Sequence, residues 1–142
     1  MSCSIRIFNE SKVKLPLPDL RIRQLLRNVL LALERRDFQI RLIATGEEAL
    51  REMKVSYFNE DVYTDIISFL LEDEMTLEGE LYCSPERIRN NAESYGERPE
   101  REFARVLIHG ACHLCGYEDG SEAERRSMTE LEDRFLTQFF DG

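Results

Sequence analysis

The segment His109-Gly-Ala-Cys-His113-Leu-Cys-Gly116-Tyr-Glu-Asp119 constrains this chain more than any other. It contains both histidines of the sequence, four residues apart. On a helix that spacing stacks two imidazoles on one face, within reach of a single ion. Gly116 predicts a helix end in a left-handed turn, after which the chain doubles back and Asp119 returns to the same spot. Two ring nitrogens and one carboxylate around an open position make the donor set of a catalytic Zn²⁺-type centre, not of a closed structural one. A histidine pair at this spacing also occurs on ordinary polar helix faces. The coincidence with a helix-ending glycine and a third donor favours the metal reading.

The 142 residues fit one domain, 1–142, large enough for a core without staples. Apolar residues at 42% and charged residues at 33% exclude a disordered chain. No apolar run approaches the roughly 18 residues of a membrane span. The start, Met1-Ser2-Cys3-Ser4-Ile5-Arg6-Ile7, lacks the basic-then-apolar layout of a secretory signal. The four cysteines (3, 83, 112, 115) are scattered, which argues against a disulfide framework and predicts a reducing, cytoplasmic home. Cys112-x-x-Cys115 invites a zinc or redox reading. In a helical frame, however, only Cys112 lies near the histidine face, so core packing is the expectation for both.

The net charge of −9 argues against a broad nucleic-acid surface. Local arrangement can override the total: Arg101 and Arg105 precede the histidines at four-residue steps and place positive charge along the same helix face.

Alternation predicts strands over 5–9 and 38–44, a buried strand over 66–71 and another over 76–83. Pro16 and Pro18 introduce a helix over about 19–35, with Leu20, Leu25, Leu26, Val29, Leu30 and Leu33 as its apolar stripe. Thr45-Gly-Glu-Glu48 reads as a capping box opening a helix to about residue 55. Ser84-Pro85 opens one over about 85–95, the metal helix follows over about 99–115, and Ser121-Glu-Ala-Glu124 caps a last helix to about Phe140. The order predicts an α+β domain: a small mixed four-stranded sheet packed by about five helices, with the metal site on the penultimate helix and the turn after it.

Hydrolysis is the default chemistry of such a site, because the ion acidifies a bound water toward a pKa of ~7 and polarises a carbonyl or phosphoryl oxygen. Zinc peptidases with this helix carry a glutamate after the first histidine as general base. Here that residue is Gly110, which argues against a metallopeptidase; Glu118 and Asp65 are the available acid/base candidates. Phosphodiester cleavage tolerates the change better, with Arg101 or Arg105 holding phosphate.

His109-Gly-x-x-His113-Leu-x-Gly116-Tyr117-x-Asp119 resembles the HGxxHLxGYDH signature of the YbeY family, bacterial rRNA-maturation endoribonucleases. Thr64-Asp-Ile-Ile-Ser68-Phe69 is similar to that family's TDVLSF motif, and Leu77-Glu-Gly79-Glu-Leu81 to its LGDI. The three motifs keep their order and spacing over most of the chain. The resemblance implies one metal, usually zinc, held by His109, His113 and the residue at 119. It further implies cleavage of single-stranded rRNA in 16S 3′-end maturation and ribosome quality control. The implied partners are the small ribosomal subunit with its proteins and an Era-type GTPase.

This chain departs from the pattern twice. The family's third histidine is Asp119, a competent ligand that lowers the site's net charge by one unit and so its Lewis acidity. Nickel or another divalent ion suits this donor set as well as zinc. Ahead of the TDVLSF-like motif the family carries YR, an arginine associated with cleavage; here the pair is Tyr57-Phe58. Phe58 can stack on a base, though a core position is the expectation, and Lys54, a turn earlier, is a substitute cation.

The sequence thus predicts a metal-dependent endoribonuclease with ligands His109, His113 and Asp119. Its RNA-contact candidates are Lys54, Arg101 and Arg105, and its acid, base or charge-stabilising candidates are Glu118, Asp65 and Arg105. Thr64 and Ser68 are expected to brace the sheet beside the site. The loss of the family arginine leaves a non-catalytic, metal-stabilised ribosome-assembly factor as the alternative.

Overall fold

The computed structural model describes residues 3–141. Four strands and five helices follow in the order β1 (Cys3–Asn9), α1 (Asp19–Ala32), β2 (Phe38–Ala44), α2 (Glu47–Phe58), β3 (Ile66–Asp73), β4 (Leu77–Cys83), α3 (Pro85–Tyr95), α4 (Pro99–Leu114) and α5 (Glu122–Asp141). The sheet order is β1-β2-β4-β3. β1, β2 and β4 run parallel, and β3 returns antiparallel to β4 at the edge. This is the mixed four-stranded sheet with five helices that the pattern predicts.

Register explains how the sheet carries α4. Phe38 pairs with Leu77, Ile40 with Gly79, Leu42 with Leu81 and Ala44 with Cys83, and this row faces the helices. Gly79 lets α4 come close: a Cβ there would lie 2.8 Å from both terminal carbons of Leu114. α4 packs against α1, α3, α5, β3 and β4, and buries Phe103, Ala104, Val106, Leu107, Ile108, Ala111, Cys112 and Leu114. A helix enclosed this way is a rigid mount for functional side chains.

Several boundaries and burial assignments differ from the sequence reading, each for a local reason. α1 stops at Ala32 rather than 35, because Glu34 adopts φ +69 and the Arg35 and Glu34 amides donate back to the Leu30 and Leu31 carbonyls. This is a Schellman ending without its usual glycine. Leu20 is exposed, and Ile22 takes its place in the buried stripe. Thr45 makes no cap hydrogen bond; Gly46 is the N-cap of α2, which continues to Phe58 before Asn59 closes it at φ +56. β3 is buried only at Ile66 and Ile67, and Leu70 and Leu71 are exposed on this edge strand. By contrast, Ser84 accepts from the Arg87 amide as the cap of α3. Ser121 and Glu124 form the reciprocal capping box of α5, at 3.1 and 3.0 Å. Among the described residues no helix is long and apolar enough to cross a membrane.

Candidate metal centre

The last turn of α4 and the loop after it build the site. Cys115 caps the helix, Gly116 adopts φ +96, and the Tyr117 and Gly116 amides donate to the Cys112 and His113 carbonyls at 3.1 and 3.0 Å. This Schellman turn reverses the chain, as the glycine predicts. The capping box of α5 then fixes the far end of the loop, and the Arg125 guanidinium reaches the Asp119 and Gly120 carbonyls at 3.4 Å. Asp119 is therefore held from both sides.

His109 Nε2 and His113 Nε2 lie 3.1 Å apart, and Asp119 Oδ2 is 3.1 Å from the first and 3.5 Å from the second. Donors 2.0–2.1 Å from one tetrahedral ion lie about 3.3–3.4 Å from one another, so these residues fit a zinc-sized ion without rearrangement. Among the described residues they are the one group of three or more histidine, cysteine or acidic side chains close enough to share an ion.

The chemistry of His109 depends on a residue the sequence reading missed. Glu132 Oε2 lies 2.6 Å from His109 Nδ1, and Glu132 Oε1 accepts from Arg105 at 3.0 Å. A carboxylate on Nδ1 makes that nitrogen the N–H donor and leaves the Nε2 lone pair for an ion. Burial lowers the His109 pKa, but the Glu132 hydrogen bond and charge, with Asp119 and Asp65, outweigh it and the net shift is upward. A signal was available: Glu132 falls in the apolar stripe Met128, Leu131, Phe135, Leu136 of α5, where a carboxylate needs a partner.

The three donors open into a cleft of about 550 Å³, whose walls include Lys54, Phe58, Asp65, Ser68 and Glu118. Burial raises the Asp65 carboxyl above its ordinary range, opposed by the charge of His109 and by backbone amides. Ser68 Oγ donates to the Gly110 carbonyl at 3.0 Å and ties β3 to α4. Thr64 donates weakly to the Ile66 carbonyl at 3.4 Å, at the start of the same strand. Glu118 lies on the cleft rim next to Asp119.

Two arginines take other partners. Arg105 is held by Glu132 and by Asp133, at 3.0 and 2.8 Å. Arg101 sits two turns back along α4, outside the cleft lining, beside Glu97 and the Phe140 ring. Phe58 is not in the core: it is 42% exposed and lines the cleft, with the Lys54 ammonium 4.8 Å from its ring centre. Cys112 is fully buried in the core cluster, as expected, and burial pushes its thiol up to about 12. Cys115 is partly buried against the core, with its thiol also raised by burial.

Gly110 shows why the peptidase glutamate is missing. A Cβ at this position would lie 2.7 Å from Ile66 Cδ1, 3.0 Å from Leu81 Cδ2 and 3.2 Å from Ser68 Oγ. The position faces the sheet, so a longer side chain there would push α4 away from β3 and β4.

The chain is similar to known proteins over nearly its whole length. The family model described as endoribonuclease YbeY matches residues 6–140. A protein named endoribonuclease YbeY from Chloroherpeton thalassium is 36% identical over 128 residues, covering 90% of this chain and 91% of that protein. One of the same name from Bacteroides thetaiotaomicron is 37% identical over 123 residues, covering 84% and 90%. The solution structure of a Thermotoga maritima protein superposes with a TM-score of 0.65 at 26% identity, covering 96% of this chain and 89% of the other. From the sheet that carries α4 to the turn that returns Asp119, the chain belongs to the endoribonuclease YbeY family.

Proposed function

We propose that this chain is a metal-dependent, single-strand-specific endoribonuclease acting in 16S rRNA 3′-end maturation and ribosome quality control. Its setting in this reading is the cytoplasmic small ribosomal subunit with its proteins and an Era-type GTPase. The observation that carries the reading is the triangle of His109, His113 and Asp119 at ion-sharing distances in an open cleft. Membership of a family named for RNA cleavage supports it.

When bound, a divalent ion such as zinc or nickel supplies Lewis acidity toward a phosphoryl oxygen and acidifies a coordinated water. His109, His113 and Asp119 hold it, and the Glu132–Arg105 pair keeps His109 in the Nε2-ligating tautomer. Arg105 is therefore a positioning residue. Lys54 is the only lysine or arginine among the described residues lining the cleft, and serves as the phosphate contact there. Asp65, raised by burial on the cleft wall, is the group suited to carry a proton to the leaving oxygen; Glu118 on the rim is the second candidate.

The test is cleavage of a single-stranded rRNA 3′-end fragment by the purified protein, beside His113→Ala and a chelated sample, with metal quantified in each. Cutting by wild type alone supports the nuclease. One metal per chain without cutting replaces it with the assembly-factor reading, which Phe58 at the family's arginine position favours.

A further inference from the structure

The chain carries −9 overall, yet the cleft offers one ammonium, Lys54, among its described lining residues. The arginines nearest along α4 are engaged: Arg105 by Glu132 and Asp133, Arg101 by Glu97. Phosphate neutralisation, the usual source of nucleic-acid affinity, is thus weak where the substrate must lie. Something else has to hold the strand.

The cleft wall supplies it. Tyr57 and Phe58, on the last turn of α2, are 68% and 42% exposed. Both rest on Phe69 of the edge strand β3: Tyr57 edge-on with ring centres 5.2 Å apart, Phe58 in near-parallel stacking at 6.0 Å. Phe69 in turn meets Tyr82 of β4 at 5.8 Å. Four aromatic rings from three elements thus form a continuous patch that begins in the metal cleft at Phe58 and wraps round the β3 edge. The inner pair, Phe69 and Tyr82, is partly buried and fixes the outer pair in place. Large aromatic side chains left outward on a rigid support are suited to stacking, because every nucleobase has a π-face.

We propose that Tyr57 and Phe58 form a base-stacking platform for the nucleotides flanking the cut phosphodiester. The strand is then held chiefly through its unpaired bases, and Lys54 takes one adjacent phosphate. The inference rests on the nuclease reading and names how that same cleft recognises single-stranded RNA. It also accounts for an acidic chain acting on RNA, and for single-strand preference, since paired bases have no free face to offer. A base enters over Phe58 by displacing the Lys54 ammonium, a partly exposed cation–π contact whose loss leaves the lysine free for phosphate.

The test compares two fluorescent 12-nucleotide strands by anisotropy: oligouridine, which does not stack on itself, and an abasic ribose-phosphate of equal length and charge. Wild type should bind oligouridine about 10-fold or more tighter than the abasic strand. The slope of log affinity against log salt should be shallow, about −1, as for one or two neutralised phosphates. Phe58→Ala and Tyr57→Ala should each weaken oligouridine binding about 10-fold, leave abasic binding unchanged, and be rescued by Phe58→Tyr and Tyr57→Phe. Both positions are exposed, so a far-UV spectrum confirms that the variants fold. Equal affinity for the two strands, or alanine variants within twofold of wild type, overturns the platform. If wild type cuts the rRNA fragment while these variants bind as it does, the platform alone falls. If wild type neither binds nor cuts RNA, the platform and the nuclease reading fall together.

Discussion

Glu132 is the sharpest test of how this site works. Its side chain is only 8% exposed, and one oxygen lies 2.6 Å from His109 Nδ1 while the other accepts from Arg105 at 3.0 Å. A charge-assisted hydrogen bond in such a position is worth about 1.5–3 kcal/mol. Removing a carboxylate that orients a metal-bound histidine typically lowers metal affinity about 10–100-fold. Glu132→Leu removes the acceptor and should lie near the upper end. Glu132→Gln keeps an oxygen for Nδ1–H but turns its amide donors on Arg105, so about 10-fold is expected. Metal-free stability should fall as well. In Glu132→Leu the new side chain joins Met128, Leu131, Phe135 and Leu136 in an apolar stripe, but Arg105 and His109 Nδ1 lose their shared acceptor, and breaking a buried pair by removing one partner costs up to about 3–5 kcal/mol. Arg105 would keep Asp133. Competition with a chromophoric chelator gives the affinity, and thermal melts of metal-free samples give the stability. Affinity within twofold of wild type for Glu132→Leu would refute the orienting role. A loss of metal-free stability with metal affinity unchanged would reduce Glu132 to a structural ion pair.

Three further outcomes follow from the same geometry. Gly110→Glu, which recreates the peptidase pattern, should give no peptidase activity and should destabilise the fold by about 2–7 kcal/mol in urea titration, because the new carboxyl meets Ile66 and Leu81. The Glu102 carboxyl is raised by burial, opposed by Arg105 and reinforced by Asp65, Glu132 and Glu97. Its ionised form therefore destabilises the fold, and the penalty grows as pH climbs from the ordinary carboxylate range through the raised value; Glu102→Gln should melt higher than wild type at pH 7 and lose that advantage below about pH 4. Chelation should leave a folded protein, since the core is independent of the ion. With free metal at 100 times its Kd the lost stabilisation is about 2.7 kcal/mol, read in a chain of this size as a fall in Tm of about 5–11 °C; an unfolded apo-protein would make the metal structural.

The donor set is legible because every distance in it is short in sequence. Helical periodicity sets His109 over His113, and one glycine decides where the chain turns, so the triangle needs no knowledge of the rest of the fold. Glu132 reaches the site only because α5 packs against α4, twenty-three residues beyond His109. Its misplaced polarity in an apolar stripe is visible in the sequence, but its partner is not. Arg105 reads as a phosphate contact for the same reason: its position beside the histidines is local, whereas its carboxylates come from another helix. The end of α1 escapes pattern reading because a left-handed Glu34 does the work of a glycine, at a strain that leaves no mark in the sequence. The expectation of a buried Phe58 goes with a helix that ends near residue 55. Three more helical residues carry Tyr57 and Phe58 outward, and Phe58 onto the wall of the cleft.

The charges of the site also bear on why an acidic chain suits this chemistry. Glu132 and Arg105 neutralise each other, the two imidazoles are neutral when they ligate, and Asp119 contributes one negative charge. A divalent ion among these groups leaves about one net positive charge there, in a molecule that carries −9 without the ion. Phosphate would then be drawn to one place and repelled elsewhere, so a strand enters in few registers rather than coating the surface. A third histidine in place of Asp119 would raise that local charge by one unit and strengthen the pull. Asp119→His should therefore tighten phosphate binding to the loaded protein and make it more salt-dependent, with the aromatic wall unchanged. Titration of the zinc-loaded variant with inorganic phosphate at two salt concentrations reads this directly, and an affinity equal to wild type would sink the charge argument.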